Sequence, residues 1–383
     1  MKIGLIGVGR LGICFSLLLE KAGYEVVASD VRESYVNDLN QKVINTSEPF
    51  VQNYLSESNN FRATTNNLEV IRECDIIYTL VATPSLPDGS YDISSIWNVV
   101  KDFQNADFPV NGKSLVVGCT TNPGDCQKFQ DELTSYGVDV FYNPEFIAQG
   151  SIIKDLQTAD MVLIGGRGNH LYELTEIYLK IQDNIPKVYC MSTKAAELTK
   201  IAVNCFLTTK ISYANMVGQV LALSGMEDEI FQVLEAIGSD TRVGSKYMRY
   251  GFGFGGPCLP RDNRAFGAYM KELGLNNNLG STTDDFNNEH AKFLFNYFVN
   301  KNTENLPFYF DYISYKKGTD ILTESQQYRL CVDLLDHGYT VYVSDVPDII
   351  DQVSTCLYDK YYDRIRFIQS EDELTVNFFK VKF

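Results

Sequence analysis

The residues with the clearest chemical potential lie in a glycine-rich segment that ends in a cysteine. This segment reads Gly251-Phe252-Gly253-Phe254-Gly255-Gly256-Pro257-Cys258, and Asp262 follows it. Four glycines in six residues predict a loop that can wrap closely around a bulky ligand. A thiolate after such a loop could add to an aldehyde and hold it as a covalent adduct, although an isolated cysteine is more often a small buried hydrophobic residue.

A second pattern, Gly7-Val8-Gly9-Arg10-Leu11-Gly12, closes a predicted strand and opens a predicted helix at the start of the chain. Gly7 permits a tight turn, Gly9 lets the backbone approach a pyrophosphate, and Gly12 allows close packing of the helix on the strand. Asp30 ends the next strand, 18 residues after Gly12, where a carboxylate accepts ribose hydroxyls and repels a 2′-phosphate. The pattern predicts NAD as the cofactor; a flavin or another nucleotide, or a turn that binds nothing, are the weaker alternatives.

The hydrophobic pattern predicts the elements that position these residues. In the first 165 residues, short apolar runs alternate with amphipathic stretches, which indicates parallel strands joined by helical crossovers. The predicted strands are residues 2–7, 25–30, 75–80, 114–118, 138–142 and 161–164. Residues 192–224 contain no proline and one glycine, and they predict a single helix of roughly 50 Å.

The expected fold class is α/β, with two Rossmann-like doubly wound parallel-sheet domains joined by a long central helix. The predicted domains are an N-terminal domain at residues 1–191, a central helical domain at 192–301 and a short C-terminal α/β domain at 302–383. The long helix has more apolar residues than one subunit can bury on a single face, so we expect it to form the contact of a homodimer.

The composition limits the possible partners. The 383 residues include 33 Lys and Arg against 49 Asp and Glu, and the net charge is −16. This charge repels phosphate backbones and anionic lipid, so neither nucleic acid nor a membrane surface is expected to bind.

Nine cysteines and three histidines show no zinc-type spacing, which predicts no metal site and no disulfide framework. No signal peptide or apolar run of about 18 residues is found, so a cytoplasmic location is expected.

At the glycine loop the chain resembles the UDP-glucose/GDP-mannose dehydrogenase family, whose members carry a GFGG-x-C segment followed by Lys-Asp. Other blocks occur in the family's order along nearly the whole chain. They are Ala82-Thr83-Pro84, Thr120-Thr121-Asn122-Pro123-Gly124, Asn143-Pro144-Glu145-Phe146-Ile147, Lys200 with Asn204, and Tyr315-Lys316. The resemblance implies that the N-terminal domain binds NAD, that the C-terminal domain binds the UDP-sugar, and that the C6 alcohol of UDP-glucose is oxidised to the carboxylate of UDP-glucuronate.

The implied reaction removes four electrons and consumes two NAD⁺ per substrate. Cys258 is expected to form a thiohemiacetal with the intermediate aldehyde and then a thioester that water cleaves. Lys200 and Asn204 are spaced i, i+4 on the long helix, and the family's lysine and asparagine at these positions steady the developing oxyanion.

The resemblance also implies roles for three further groups. Asp262 matches the aspartate that handles the alcohol proton, Glu145 matches the glutamate that activates water, and Thr121 matches a threonine that holds this water and touches the cofactor. The residues expected to bind the cofactor are Gly7, Gly9, Arg10, Leu11, Gly12, Asp30, Thr83, Pro84, Thr121 and Glu145. The residues expected to bind substrate are Phe146, Gln149, Lys200, Asn204, Arg242, Gly253, Phe254, Gly255, Gly256, Tyr315 and Lys316. For Arg242, a surface salt bridge is the alternative.

Four positions depart from the family's pattern. Gln149 replaces a substrate-side glutamate, Met216 replaces a glutamate, Arg261 replaces a lysine, and Thr323 stands at a cofactor-side arginine. GDP-mannose and a UDP-N-acetylhexosamine therefore remain alternative substrates. A two-electron hydroxyacid dehydrogenase and a non-catalytic nucleotide-sugar binding protein are the alternative functions from other classes.

Overall fold

The structure is a computed structural model that describes residues 1–383. It divides into two compact units, Met1–Ile201 (unit 1) and Ala202–Phe383 (unit 2). No helix in the structure is both long and apolar enough to cross a membrane. The boundaries of the three predicted domains stay predictions.

Unit 1 is built on one eight-stranded sheet. Its strands are β1 Lys2–Ile6, β2 Glu25–Ser29, β3 Phe61–Thr64, β4 Ile76–Thr79, β5 Ser114–Val117, β6 Asp139–Tyr142, β7 Met161–Gly165 and β8 Lys187–Met191. The spatial order is β3-β2-β1-β4-β5-β6-β7-β8. All neighbours pair in parallel except β6 and β7, which are antiparallel. The direction of winding reverses between β1 and β4, and in such sheets the crevice at the carboxyl ends of those strands binds the ligand.

Helices cover both faces of this sheet. They are α1 Arg10–Lys21, α2 Glu33–Asn40, α3 Val51–Glu57, α4 Asn67–Glu73, α5 Ser94–Gln104, α6 Asp125–Leu133, α7 Ile152–Gln157 and α8 Leu171–Ile181, and the 31-residue helix α9 Thr193–Leu223 begins in this unit. Successive side chains of a strand point to opposite faces, so the adjacent residues Ile76 and Ile77 enter two different hydrophobic clusters. The sheet is therefore buried on both sides, as a parallel sheet requires.

Unit 2 contains the rest of α9 and a smaller sheet. Its further elements are α10 Ile230–Ser239, α11 Leu259–Glu272, α12 Leu279–Lys301, β9 Phe308–Phe310, α13 Gln326–Asp336, β10 Val341–Val343, α14 Pro347–Tyr361, β11 Ile365–Phe367 and β12 Phe379–Lys380. The strands pair in parallel in the order β11-β10-β9-β12. One hydrophobic cluster joins α12 to this sheet, with Leu294 and Phe298 beside Phe308.

The structure confirms the α/β class and the long central helix. The predicted helix at residues 192–224 is observed as Thr193–Leu223. The sequence pattern did not predict β3, β8 or β12, and each of these strands lies at an edge of its sheet. An edge strand is partly solvated, so it lacks the continuous apolar run that marks a central parallel strand.

Candidate active site

The glycine turn after β1 has the geometry of a dinucleotide site. Gly7 has a φ of +92°, and a Cβ atom there would lie 2.8 Å from the carbonyl carbon of Leu80, just after β4. A Cβ on Gly12 would lie 2.5 Å from the carbonyl oxygen of Gly7, which shows how closely α1 packs on β1. Gly9 faces open space, and no side chain caps the N-terminus of α1. A pyrophosphate therefore fits at this helix end, where free N–H groups favour an anion.

Asp30 follows β2 and forms a two-point ion pair with Arg32. Nε of Arg32 lies 2.8 Å from Oδ1 of Asp30, and Nη2 lies 3.0 Å from Oδ2. Burial acts to raise the pKa of Asp30, but the hydrogen bonds from Arg32 outweigh it and the pKa is lowered. The residue is thus a fixed anion at the carboxyl end of β2, as the ribose contact of NAD requires.

Four further residues predicted to bind the cofactor lie in the first turn of α1 and in the segment that follows β4. Arg10 and Leu11 are half-buried in the first turn of α1, and Arg10 donates from Nη1 to Oγ of Ser47 at 3.2 Å. Thr83 is buried and Pro84 is exposed in the segment that follows β4. Their contacts with NAD stay predictions.

Glu145 lies just after β6 and has a strongly perturbed acidity. Burial raises its pKa to about 7, while a hydrogen bond from Tyr178 and the charge of Lys200 lower it in part. The Tyr178 hydroxyl donates to Glu145 and lies 2.7 Å from Oδ1 of Asn143. Because a hydroxyl has one proton, Tyr178 can donate to only one of these acceptors at a time. A carboxyl group with this pKa can exchange a proton near neutral pH.

Lys200 is oriented by the backbone and an aromatic ring of the segment that carries Glu145. Nζ of Lys200 donates to the carbonyl oxygen of Glu145 at 2.8 Å. It also lies 4.7 Å from the centre of the Phe146 ring, a cation–π distance. The structure thus brings together three of the residues that the sequence nominates in unit 1. Gln149 lies further along the same segment and is half-buried.

Thr121 is fully buried and is held by a carboxylate that the sequence analysis missed. Its hydroxyl donates to Oε1 of Glu197 at 2.9 Å, and Glu197 also accepts from the amides of Gly124 at 2.6 Å and Cys126 at 2.8 Å. Glu197 thereby caps the start of α6, and its burial raises its pKa. With its proton committed to Glu197, the Thr121 oxygen is left to act as an acceptor.

In unit 2, Asn204 and Asp262 form a buried pair. Nδ2 of Asn204 donates to Oδ2 of Asp262 at 2.6 Å, and Nε of Arg261 lies 3.1 Å from Oδ1. Asp262 is fully buried, so these hydrogen bonds replace those that bulk water would give its carboxyl group. Arg261, at the position where the family has lysine, therefore provides a direct ion pair to this aspartate.

Cys258 is half-buried and immediately precedes α11. The N-terminal end of a helix favours negative charge, so a thiolate would be favoured at this position over one in the middle of a helix. The glycine loop, residues 251–256, leads into Cys258 and faces a cavity of about 490 Å³ within unit 2. The cavity is lined by Arg249, Tyr250, Gly251, Phe252, Gly253, Gly255, Phe310, Asp311, Tyr312, Tyr315, Gln326, Gln327, Val381, Lys382 and Phe383.

This lining combines aromatic rings, two cations, one carboxyl group and two side-chain amides. Rings can stack on a base, cations can pair with phosphates, and amides can hydrogen-bond to base or sugar. Of the predicted substrate residues, Gly253, Gly255 and Tyr315 line the cavity. Gly256 lies against the Tyr315 ring, and Phe254 is buried.

Two predicted substrate cations lie on the surface. Arg242 forms a two-point ion pair with Asp240, with Nη2 2.7 Å from Oδ2, and its side chain is 87% exposed. This is the salt bridge that the sequence analysis gave as the alternative. Lys316 is exposed in the loop after β9. A role for either residue in substrate binding stays a prediction.

Sequence reasoning did not identify two residues that hold predicted groups in place: Tyr178 beside Glu145, and Glu197 beside Thr121. Arg32, two residues after Asp30 in the sequence, holds Asp30 through the ion pair described above. Neither Tyr178 nor Glu197 belongs to a motif, and each is distant in sequence from the residue that it contacts. No cluster of His, Cys, Asp and Glu in the structure is arranged to hold a metal ion.

A doubly wound sheet with a glycine turn and an acidic residue at the end of β2 defines a dinucleotide-dependent oxidoreductase. Residues 1–182 match the NAD binding domain of the UDP-glucose/GDP-mannose dehydrogenase family, and residues 194–289 match the central domain of that family. The chain therefore belongs to the UDP-glucose/GDP-mannose dehydrogenase family, and its cofactor is NAD.

Individual relatives agree with this assignment. The chain is 28% identical over 366 residues to UDP-glucose 6-dehydrogenase AglM of Haloferax volcanii, covering 89% of this chain and 82% of that protein. It is 27% identical over 363 residues to GDP-mannose 6-dehydrogenase of Pseudomonas aeruginosa, covering 90% and 81%. Among solved structures, a UDP-glucose dehydrogenase from Pyrobaculum islandicum has a TM-score of 0.84 and 26% identity, covering 96% of this chain and 86% of that one.

The ion pair at β2 leads to a prediction about the cofactor. In Asp30→Asn, the affinity for NAD⁺ should fall about tenfold, because a charge-assisted hydrogen bond to ribose is replaced by a neutral one. Discrimination against NADP⁺ should weaken as well, because the 2′-phosphate no longer meets an anion. Calorimetric titration of both nucleotides measures this, with Asp38→Asn on the exposed side of α2 as the matched control. An unchanged NAD⁺ affinity in Asp30→Asn would contradict the assigned role.

Proposed function

We propose that the protein is an NAD-dependent nucleotide-sugar 6-dehydrogenase that converts UDP-glucose to UDP-glucuronate. The observation that carries the proposal is Cys258, which follows a glycine loop that lines an aromatic and cationic cavity. The names of the relatives favour UDP-glucose over other sugars. The catalytic residues are proposed to be Cys258, Lys200, Asn204, Asp262, Glu145 and Thr121.

In the first oxidation, the C6 alcohol loses a hydride and a proton to become an aldehyde. NAD⁺ supplies the hydride acceptor for this oxidation and for the one that follows. Asp262 is the proposed acceptor of the alcohol proton, directly or through water, and its carboxyl group receives hydrogen bonds from Arg261 and Asn204.

The second oxidation depends on Cys258. The thiolate adds to the aldehyde carbon, so that a C–S bond forms and the carbonyl oxygen becomes the alkoxide of a thiohemiacetal. Loss of a second hydride from this carbon yields a thioester. Lys200 and Asn204, four residues apart in α9, are the proposed donors to the oxyanion in this step.

Hydrolysis of the thioester then releases the carboxylate and restores the thiol. Glu145 is the proposed base that takes a proton from the attacking water, and its pKa of about 7 matches that task. Thr121 is the proposed acceptor that orients the water, because its own proton is committed to Glu197. The reaction requires a reduced thiol, so we place the protein in the cytoplasm.

Competing functions differ in electron count or substrate. GDP-mannose or a UDP-N-acetylhexosamine would use the same residues with a different sugar or base. A two-electron hydroxyacid dehydrogenase would not need Cys258. A non-catalytic nucleotide-sugar binding protein would turn over none of these substrates.

The number of NADH molecules formed per sugar distinguishes a four-electron from a two-electron oxidation. Purified protein with limiting UDP-glucose and excess NAD⁺ should form two NADH per UDP-glucose, because the alcohol is oxidised to the carboxylate. A parallel panel with GDP-mannose and UDP-N-acetylhexosamines should show lower kcat/KM. One NADH per sugar would contradict the four-electron reaction, and better turnover of another nucleotide sugar would replace UDP-glucose as the substrate.

Cys258→Ala should lower the formation of UDP-glucuronate at least about a thousandfold, since the aldehyde then has no covalent route to the second oxidation. Cys190→Ala is the control, because Cys190 is also a cysteine but is exposed on β8. Product is measured by chromatography. Equal activity in the two variants would remove the thiol from the mechanism.

The pH dependence follows from Glu145. The carboxylate is the active form of a base, so with a pKa of about 7 the hydrolysis rate should rise as pH increases through about 7. Tyr178→Phe removes a hydrogen bond to the carboxylate, which raises the pKa of Glu145 and moves the midpoint upward by about one pH unit. The profile is measured as kcat against pH. Tyr172→Phe, at the exposed start of α8, should leave the midpoint unchanged, and an unshifted Tyr178→Phe profile would refute the assignment.

We also propose a homodimer that forms through α9. Within unit 2 this helix exposes large apolar residues at helical spacing, namely Phe206, Tyr213, Met216, Val220 and Leu223, and Phe206 is 63% exposed. Exposed apolar residues that share one face of a helix are typical of a protein interface.

Phe206→Glu should convert the dimer to a monomer at micromolar concentration, because it would bury an unpaired charge in the contact. Light scattering after size-exclusion chromatography measures the mass. Asn296→Glu on the exposed side of α12 is the control for added charge. A wild-type protein that elutes as a monomer would contradict this part of the proposal.

A further inference from the structure

Three buried side chains from two helices of unit 2 hold the glycine loop. Asn215 lies on α9, and Asn287 and His290 lie on α12; their residues are 1%, 7% and 1% exposed. Together they form hydrogen bonds with five backbone polar groups of residues 251–254. The sequence motif contains none of the three, and the mechanism above gives them no task.

Asn287 pairs with both polar groups of Phe254. Its Oδ1 accepts from the Phe254 amide at 2.9 Å, and its Nδ2 donates to the Phe254 carbonyl at 2.9 Å. The side-chain amide thus takes the place that a neighbouring β-strand would occupy. A Cβ atom on Gly253 would overlap Oδ1 of Asn287, so the loop can approach this amide only with glycine at that position.

Asn215 makes a similar pair at the start of the loop. Its Oδ1 accepts from the Gly251 amide at 3.0 Å, and its Nδ2 lies 3.4 Å from the Phe252 carbonyl. The neighbouring residue Tyr250 packs closely on α9. A Cβ atom on Gly218 of this helix would overlap the Tyr250 ring. The entry to the loop is therefore fixed against α9.

His290 completes the set. Its Nε2 lies 2.7 Å from the Gly251 carbonyl, and its Nδ1 lies 2.7 Å from Nε2 of Gln219. A carbonyl only accepts, so Nε2 carries the proton and Nδ1 accepts from the Gln219 amide. Burial lowers the pKa of His290 to about 4, which keeps the ring neutral at physiological pH.

The loop also borders the cavity. Gly251, Phe252, Gly253 and Gly255 line it, and Cys258 follows two residues after the loop ends. Glycine-rich backbone samples many conformations, so a wall made of it has a defined shape only if other groups hold it. Each side chain that hydrogen-bonds to the loop backbone therefore helps to set the shape of the cavity wall and the position of the thiol.

We propose that Asn215, Asn287 and His290 are positioning residues of the active site. They fix the glycine loop so that it presents a preformed wall to the nucleotide sugar and holds Cys258 in its reactive place. The identity of the ligand rests on the proposed function, whereas the claim that these side chains set the loop and the thiol does not.

Asn287→Asp tests the proposal. The variant keeps the acceptor for the Phe254 amide but places a second acceptor against the Phe254 carbonyl. We expect the KM for UDP-glucose to rise at least about tenfold and the KM for NAD⁺ to change less than about twofold, because NAD binds unit 1. Asn296→Asp makes the same substitution at an exposed position of α12 and should leave both values unchanged. Equal KM values for UDP-glucose in the two variants would overturn the proposal.

His290 offers a rescue experiment. His290→Ala leaves the Gly251 carbonyl without its donor, whereas the side-chain amide of His290→Gln can still donate to it. We expect His290→Gln to recover at least about half of the kcat/KM that His290→Ala loses. If His290 only stabilised the fold, both variants would lose the same share of kcat/KM when compared at equal folded fractions. The folded fraction is measured by circular dichroism. If Asn287→Asp does not fold, Asn215→Asp repeats its test at the longer 3.4 Å contact.

A third measurement separates this proposal from the proposed function. The rate at which iodoacetamide alkylates Cys258 is measured by mass spectrometry without any substrate, with the exposed Cys356 as internal reference. Asn287→Asp should change the Cys258 rate at least about threefold and leave the Cys356 rate unchanged. Failure of the wild type to oxidise any nucleotide sugar would refute the proposed function alone. Identical Cys258 rates in wild type and Asn287→Asp would refute the positioning role.

Discussion

A buried stretch of backbone without regular secondary structure must find a partner for each of its polar groups, and both units of this protein meet that requirement with side chains. In unit 1, Glu197 accepts from two amides at the start of α6 and from the Thr121 hydroxyl. In unit 2, Asn215, Asn287 and His290 pair the glycine loop. An unpaired buried amide or carbonyl costs about 1–3 kcal/mol, so these contacts decide the loop conformations. The predicted catalytic residues depend on those conformations.

Two carboxyl side chains of unit 1 have pKa values that are shifted in opposite directions. Asp30 and Glu145 both lie just beyond the carboxyl end of a strand and both are partly removed from water. Arg32 gives Asp30 three hydrogen bonds, which lower its pKa, whereas burial dominates at Glu145 and raises its pKa to about 7. The first is suited to bind a neutral ribose, and the second is suited to exchange a proton. The local donors make this difference, since the two carboxyl groups are chemically alike.

Much of the fold could be predicted because it depends on short-range patterns. The alternation of apolar runs and amphipathic segments identified six of the eight strands of the large sheet, and the absence of proline identified α9. The edge strands β3, β8 and β12 escaped because their partly solvated residues carry a weak hydrophobic signal. For the site, the glycine turn, Asp30, Glu145 and Cys258 were visible as motifs, while Tyr178, Glu197 and the residues that hold the glycine loop were not.

The sequence by itself determined the βαβ alternation, the glycine positions and the candidate reactive groups, because each follows from residue type and spacing over a few positions. Only the tertiary structure decided which groups meet. Tyr178 contacts Glu145 across 33 residues of sequence, and Asn204 contacts Asp262 across 58. Such partners come together when helices pack on a sheet or on one another, and no local period records that packing. The acidity of Glu145 and the conformation of the glycine loop depend on these long-range contacts.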